Sequence, residues 1–310
     1  MIVTVTLNPC VDRTIYVDRL HLGEIIRARS SDTIAGGKGN NVARVLKALG
    51  VAVRPVMVAG GETGLLIHRL LRERDGLAPE VCYIRESSRE VVTVLDESAG
   101  TQTAYVEPGP TLTADEIQAF FQFAESKLQD AQLVVLSGSV PCPAMNDAYA
   151  RLIAVSRESG AQVILDTRGE ALRLGLEAKP GVLNCNRAEA EQLLGRELPD
   201  VAGVARAARE IRERGMDWVT VTLGPEGFVG CSAAGCWHAR PPDVPVVNPV
   251  GAGDALVAGL AVGLVRNFPP EELLRFAQAV AAATLTHWHA GALEPQEIAE
   301  LLGGVGLRAL

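Results

Sequence analysis

The sequence predicts an α/β fold in which a mostly parallel central sheet is flanked by helices and carries a small β-sheet lid. Three observations predict it. Short apolar, strand-like runs alternate with amphipathic helical stretches along most of the 310 residues, the pattern that builds crossover units and a parallel sheet. Two β-rich segments, about 11–34 and 81–107, interrupt that alternation. A glycine turn, Gly251-Ala252-Gly253-Asp254, leads straight into an apolar helix in the C-terminal part.

Taken in order, Met1–Leu7 and Val51–Val58 are rich in β-branched residues and read as strands. Between them Val42, Val45, Leu46 and Leu49 recur at helical spacing, and Gly50 ends the helix. Val91–Leu95 and Thr101–Val106 flank the polar turn Asp96-Glu97-Ser98-Ala99-Gly100 and predict a hairpin. The hairpin and Val11–Ile34 are each too short to fold alone, so they are expected to pair as a β layer over one sheet edge, where such a flap closes a site. Thr113-Ala114-Asp115-Glu116 has the pattern of a capping box. Gln132–Leu136, Val163–Asp166, Val182–Asn184 and Trp218–Leu223 are further short strands. Beyond Gly253 the chain is mainly helical, broken at Pro269-Pro270 and Glu294-Pro295. One domain spanning 1–310 is expected.

Hydrophobic residues make up 48% and charged residues 21% of the chain, which sets aside disordered and fibrous classes. With 29 basic and 37 acidic residues the net charge is −8, a field that opposes binding to nucleic acid or an anionic membrane. A small-molecule partner is favoured. The longest apolar run, Ala255–Val265, falls short of a membrane span, and Met1–Val5 lacks the basic start of a signal peptide, so a cytoplasmic location is expected. Cys10, Cys82, Cys142, Cys185, Cys231 and Cys236 are scattered without a C-x-x-C pair and are expected to be reduced. Cys231, Cys236 and His238 supply three candidate ligands with hairpin spacing, too few for a structural zinc site. His287 and His289, two residues apart, point to different faces of a helix end.

Three motifs carry chemistry. Glycines ahead of the Ala255–Val265 helix let backbone N–H groups and the helix dipole face an anion, which suits a phosphate. Asp254 in its first turn either offsets the dipole or accepts the proton of an attacking hydroxyl beside that anion hole. Ala35-Gly36-Gly37-Lys38-Gly39-Asn40-Asn41 also precedes a helix; Lys38 supplies a point charge, and Asn41 caps the helix or binds hydroxyls. It matches neither the Walker A spacing nor the G-x-G-x-x-G dinucleotide fingerprint. Asn186-Arg187-Ala188-Glu189 follows a short strand and by itself is a helix cap.

Together these residues resemble the ribokinase-like sugar kinases, and within them the phosphofructokinase B branch, over nearly the whole chain. The resemblance rests on Thr6-Leu7-Asn8-Pro9-Cys10-Val11-Asp12, Gly36–Arg44, Ser137-Gly138-Ser139-Val140-Pro141, Asp166, Asn186–Glu189, Leu223–Gly227 and Gly251–Asp254, in that order. It implies a single ribokinase-like domain whose β lid often serves as a dimer interface, and ATP-dependent phosphorylation of a sugar hydroxyl. By the same resemblance Asp254 is the base and Gly251, Ala252 and Gly253 form the anion hole. Asn186 and Glu189 organise Mg2+ through water; Asp12, Gly37, Lys38 and Asn41 hold sugar hydroxyls; Asn186, Thr222, Gly224 and Gly227 lie near the nucleotide.

The Leu-Asn-Pro-x-x-Asp opening with Arg27, Arg89 and Ser139 matches the phosphate ligands of the phosphosugar branch, and forked arginine donors suit a phosphate held in a lid. The implied reaction converts fructose 1-phosphate to fructose 1,6-bisphosphate. The alternatives are tagatose-6-phosphate kinase, 6-phosphofructokinase, and a non-catalytic sugar-phosphate sensor on the same fold. Asn248, Asn184 and Cys185 depart from the family pattern around the catalytic loop and the Asn-x-x-Glu motif.

Overall fold

The computed structural model describes all 310 residues. Its first half runs β1 (Ile2–Thr6), β2 (Cys10–Val17), β3 (Ser30–Gly36), α1 (Lys38–Ala48), β4 (Val53–Gly60), α2 (Gly61–Glu73), β5 (Glu80–Ile84), β6 (Arg89–Asp96), β7 (Thr101–Val106) and α3 (Ala114–Leu128). The second half runs β8 (Leu133–Ser137), α4 (Ala148–Glu158), β9 (Gln162–Asp166), α5 (Gly169–Glu177), β10 (Val182–Asn186), α6 (Arg187–Leu194), α7 (Val201–Arg212) and β11 (Trp218–Thr222). It closes with β12 (Phe228–Ser232), β13 (Gly235–Arg240), α8 (Ala252–Val265), α9 (Pro270–Leu285), α10 (Pro295–Leu302) and β14 (Gly306–Ala309).

β1 is buried at every residue because it lies inside a ten-stranded sheet ordered β14-β13-β12-β11-β10-β9-β8-β1-β4-β5, flanked by β8 and β4 and covered on both faces. The stretch from β11 to β5 is parallel throughout, and β12, β13 and β14 add an antiparallel edge. From β1 the chain moves outward to β4 and β5, then returns to β8 on the other side. This reversal creates a switch point between β1 and β8, at whose carboxyl ends open α/β sheets bind ligands. Helices cover both faces: Phe120, Leu128, Tyr149 and Ile153 lie in the core on one side, and Val42, Leu46, Leu260 and Val280 in the core on the other. α8 is apolar all round and is correspondingly buried, packed between α1 and α9.

The two inserted β segments pair with each other, as their lengths required. They form a separate four-stranded sheet, β3-β2-β6-β7, in which β2 and β6 run parallel with Cys10 opposite Arg89 and Asp12 opposite Val91. The lid is smaller than the 81–107 boundary implied: Glu80–Ile84 pairs with β4 and forms the edge of the large sheet. The expectation that every cysteine is reduced is also corrected. Cys231 and Cys236 face each other across the β12–β13 hairpin and form a disulfide, while Cys10, Cys82, Cys142 and Cys185 are free. The hairpin spacing of Cys231 and Cys236 is what sets the two residues opposite each other across the tight β12–β13 turn. No helix is long and apolar enough to cross a membrane.

Candidate active site

At the β1–β8 switch point lies a cavity of about 330 Å³ with no hydrophobic residue in its lining. The loop after β1 supplies Asn8, the glycine turn before α1 supplies Gly37 and Lys38, the start of β6 supplies Arg89, and the turn after β8 supplies Gly138 and Ser139. Gly37 has φ 112°, so the turn needs glycine there, and a Cβ would meet Thr6 at 2.8 Å. Asn8 Nδ2 donates to Ser139 Oγ at 3.1 Å, and Arg89 Nη2 donates to Asn8 O at 3.3 Å. Arg89 Nε and Asn8 Oδ1 are buried without a partner. Arg89 lines the cavity, and its forked donors are of the kind that suit an anion.

Lys38 reaches into the same cavity half-exposed, its Nζ donating to both oxygens of Asp166 at 3.2 and 3.3 Å. Desolvation lowers its pKa, but Asp166 and Asp254 outweigh this, and the ammonium is held above its ordinary value. Asp166 is fixed in turn by Ser137 Oγ at 2.7 Å and Asn184 Nδ2 at 3.2 Å, and Asn184 Oδ1 accepts from Thr220 Oγ1 at 2.8 Å. Asn184, a departure from the family pattern, thus closes a hydrogen-bonded chain across four neighbouring strands.

Asp254 stands in the first turn of α8, buried, with Oδ2 accepting from Asn41 Nδ2 at 2.8 Å. Burial pushes its carboxyl up to about 7; Asp166 adds to the rise, while Lys38, the Asn41 hydrogen bond and Arg44 oppose it. A carboxyl with that pKa is matched to proton transfer near neutral pH. Gly251, the residue before α8, has φ 88°, a left-handed conformation that aims the following N–H groups past the helix end. Ala252 N–H turns back to Pro249 O at 3.4 Å. Ala252 and Gly253 line a second cavity of about 320 Å³ together with Thr222, Gly224 and Gly227, walled by Phe228, Leu256 and Leu285. A cavity partly walled by apolar side chains and opening onto a helix N-terminus is of the kind that suits a nucleobase with its phosphates at the turn.

Asn186 and Glu189 line the polar cavity and also cap α6 reciprocally: Asn186 Oδ1 accepts from Glu189 N, and Glu189 Oε2 from Asn186 N, both at 2.8 Å. Burial raises the Glu189 carboxyl, and its Oε1 takes part in no hydrogen bond. One carboxylate oxygen at the cavity wall fits a hard cation held through water, since magnesium keeps most of its waters.

Three expected ligands lie elsewhere. Asn41 is buried against Asp254 and lines none of these cavities. Asp12 lines a smaller cavity of about 70 Å³ beneath the lid, with Asn248 and Trp288. Its carboxyl is raised by burial, against the pull of Arg44 and Arg89. Arg27 sits exposed in the loop between β2 and β3 and does not line any of these cavities. Asn248 pins two loops, donating to Trp288 O at 2.8 Å and accepting from Val250 N at 3.0 Å. Sequence reasoning missed Arg168, which lines the polar cavity at the start of α5; its signal was its place just past the carboxyl end of β9. A broader depression of about 410 Å³ between α5 and α6 is lined by the exposed Arg173–Glu170 and Arg173–Glu177 ion pairs and shares Glu189 with the polar cavity.

The family model described as "pfkB family carbohydrate kinase" matches residues 5–297. The chain belongs to the pfkB family of carbohydrate kinases. A 1-phosphofructokinase of Escherichia coli K12 is 33% identical over 307 residues, covering 99% of this chain and 98% of its own. The crystal structure of phosphofructokinase-2 from Escherichia coli in complex with potassium superposes with a TM-score of 0.90 at 28% identity, covering 97% of this chain and 98% of that one. A ribokinase from Arabidopsis thaliana, complexed with ribose and ATP, shares the fold at a TM-score of 0.78 and 24% identity, covering 97% of this chain and 98% of its own. The fold of this pfkB chain is therefore ribokinase-like, a large mostly parallel sheet with a separate small one.

Proposed function

We propose that this kinase transfers the γ-phosphoryl group of ATP to the 6-hydroxyl of fructose 1-phosphate, giving fructose 1,6-bisphosphate. The observation that carries the reading is the cationic pair Lys38 and Arg89, with Ser139, in a cavity without apolar lining beside a buried carboxyl. That cavity suits a phosphate already on the sugar, and the 33% identical relatives named 1-phosphofructokinase point to the same substrate. ATP enters the slot between Gly224–Gly227 and α8. Its transferring phosphoryl group meets the turn Gly251-Ala252-Gly253, where the Gly253 N–H and the dipole of α8 offset developing charge, and Asp254 accepts the hydroxyl proton. Magnesium, when bound with the nucleotide, neutralises phosphate charge; Asn186 and Glu189 would hold its waters. Asn41 orients the sugar and the base, and Gly37 lets the sugar approach the backbone closely.

The protein works in the cytoplasm as a dimer through the lid, where Leu22 and Ile25 are 90% and 97% exposed and Tyr105 and Val106 more than half exposed. In that arrangement Arg27, on the same loop as Ile25, is placed to reach a sugar phosphate, and Asp12 meets hydroxyls from under the lid.

The deciding experiment is a coupled ADP-release assay with fructose 1-phosphate, fructose 6-phosphate, tagatose 6-phosphate and free fructose. Highest kcat/KM with fructose 1-phosphate is expected. Because a charge-assisted hydrogen bond contributes roughly 1.5 to 3 kcal/mol, Arg89→Ala should raise KM for that sugar about tenfold to a hundredfold and leave KM for ATP nearly unchanged. Preference for free fructose, or equal weakening of both substrates, would overturn the phosphosugar reading. Binding without ADP release across the panel would favour a sensor.

A further inference from the structure

Arg44 lines none of the cavities described above, yet its side chain is only 13% exposed and holds four separate segments. Nη1 donates to Asn41 Oδ1 and to Ala290 O, each at 2.9 Å. Nη2 donates to Ala35 O at 2.9 Å and to Asp75 Oδ2 at 2.7 Å. Four of the five guanidinium donors are thereby spent on α1 itself, the loop between α9 and α10, lid strand β3 and the loop just after α2.

Two of these contacts lead to the reacting centre. Asn41 and Arg44 are three residues apart on α1 and share a face. An amide can present either end to a neighbour; with Oδ1 held by Arg44, only the Nδ2 end of Asn41 is left for Asp254. The second contact backs the glycine turn. A Cβ on Gly251 would lie 2.9 Å from Ala290 Cβ, and one on Gly291 would lie 3.0 Å from Asn41 O, so residues 290–291 are wedged between α1 and the turn.

We propose that Arg44 is a positioning residue for phosphoryl transfer, orienting the Asp254 carboxylate through Asn41 and bracing the Gly251 turn through Ala290. Its bond to Ala35 ties the same geometry to the lid. The inference rests on Asp254 being the base. The charged groups facing Asp254 are Lys38 and Arg44 from α1 and Asp166 from β9, with Asn41 as the neutral donor. Removing Arg44 subtracts one cation and frees the amide, both of which disfavour the carboxylate and move the acid limb of the rate profile upward.

The test measures kcat, both KM values and the pH profile for Arg44→Lys, Arg44→Met, Asn41→Ala and the doubles, with ATP and fructose 1-phosphate. Arg44→Lys keeps the charge and loses the fork; it should lower kcat about tenfold, leave KM for ATP within about twofold and hold the acid limb in place. Arg44→Met should lower kcat further and move the limb up by about half a pH unit or more. In the Asn41→Ala background the Arg44→Met change should cost less than in wild type, because the route through Asn41 is already gone and only the brace through Ala290 is left to lose. Wild-type kcat in Arg44→Lys, an unmoved limb in Arg44→Met, or losses that multiply in the double would each overturn the proposal. If Arg44→Met does not fold, Arg44→Lys and its double with Asn41→Ala decide by the same comparison. Near wild-type turnover in Asp254→Asn would sink the base assignment instead, a separate result.

Discussion

At the scale of single residues, the proposed role of Asp254 as the base sets activity against stability. A carboxyl whose folded pKa is raised by burial makes the fold progressively less stable as pH climbs from its unfolded value of 3.8 to about 7. Asp254→Asn removes that penalty and keeps an oxygen to accept from Asn41. It should lower kcat by at least ~10²-fold yet raise stability at pH 8 by about 1 to 3 kcal/mol, read as a higher melting temperature. Loss of both activity and stability would show that the carboxylate is a structural tie. Lys38 and Asp254 stand out in the sequence because each sits beside a glycine turn that opens a helix, whereas Arg89 and Ser139 come only from the resemblance to the phosphosugar branch; the fold brings Lys38, Arg89 and Ser139 to one cavity. Arg168 was not legible, since one arginine at a helix start is indistinguishable from a solvated charge until the sheet order places β9 beside β8. Nor could the chain alone show on which side of the lid Asp12 and Arg27 fall.

At the scale of elements, α6 carries the second carboxylate of the site. Its capping box occupies one oxygen of Glu189 with the Asn186 N–H and leaves the other open. Glu189→Gln preserves an acceptor for that cap, so α6 should stay folded while the Mg2+ concentration for half-maximal rate rises several-fold. Overlaying Mg2+ titrations would leave the motif as a helix cap and nothing more. Periodicity was enough to find α1, the Thr113–Glu116 cap of α3 and the β6–β7 hairpin, because each is decided by local spacing. It could not place β5, whose alternation suits either sheet; its pairing with β4 rather than β6 shows only in the register of the large sheet. The Cys231–Cys236 pair escaped for a related reason, since its partners become neighbours only once β12 and β13 are registered.

At the scale of the whole molecule, the exposed lid surface predicts association. Tyr105→Glu combined with Ile25→Asp should turn a dimer into a monomer in sedimentation equilibrium and reduce activity with it; a wild-type protein that sediments as a monomer would remove the lid interface. The polar cavity has one more consequence, for how substrate arrives. A protein of net charge −8 repels an anionic sugar phosphate from afar, yet Lys38, Arg89 and Arg168 attract it once it reaches the mouth. Salt screens the distant field first, since the Debye length shrinks from about 30 Å at 0.01 M to about 10 Å at 0.1 M while contacts inside the cavity are little affected. Capture should therefore quicken, not slow, as a tetramethylammonium salt is raised across that range, measured as kcat/KM for fructose 1-phosphate at saturating ATP. A decline from the first addition would mean that the cations at the mouth govern the approach from the start.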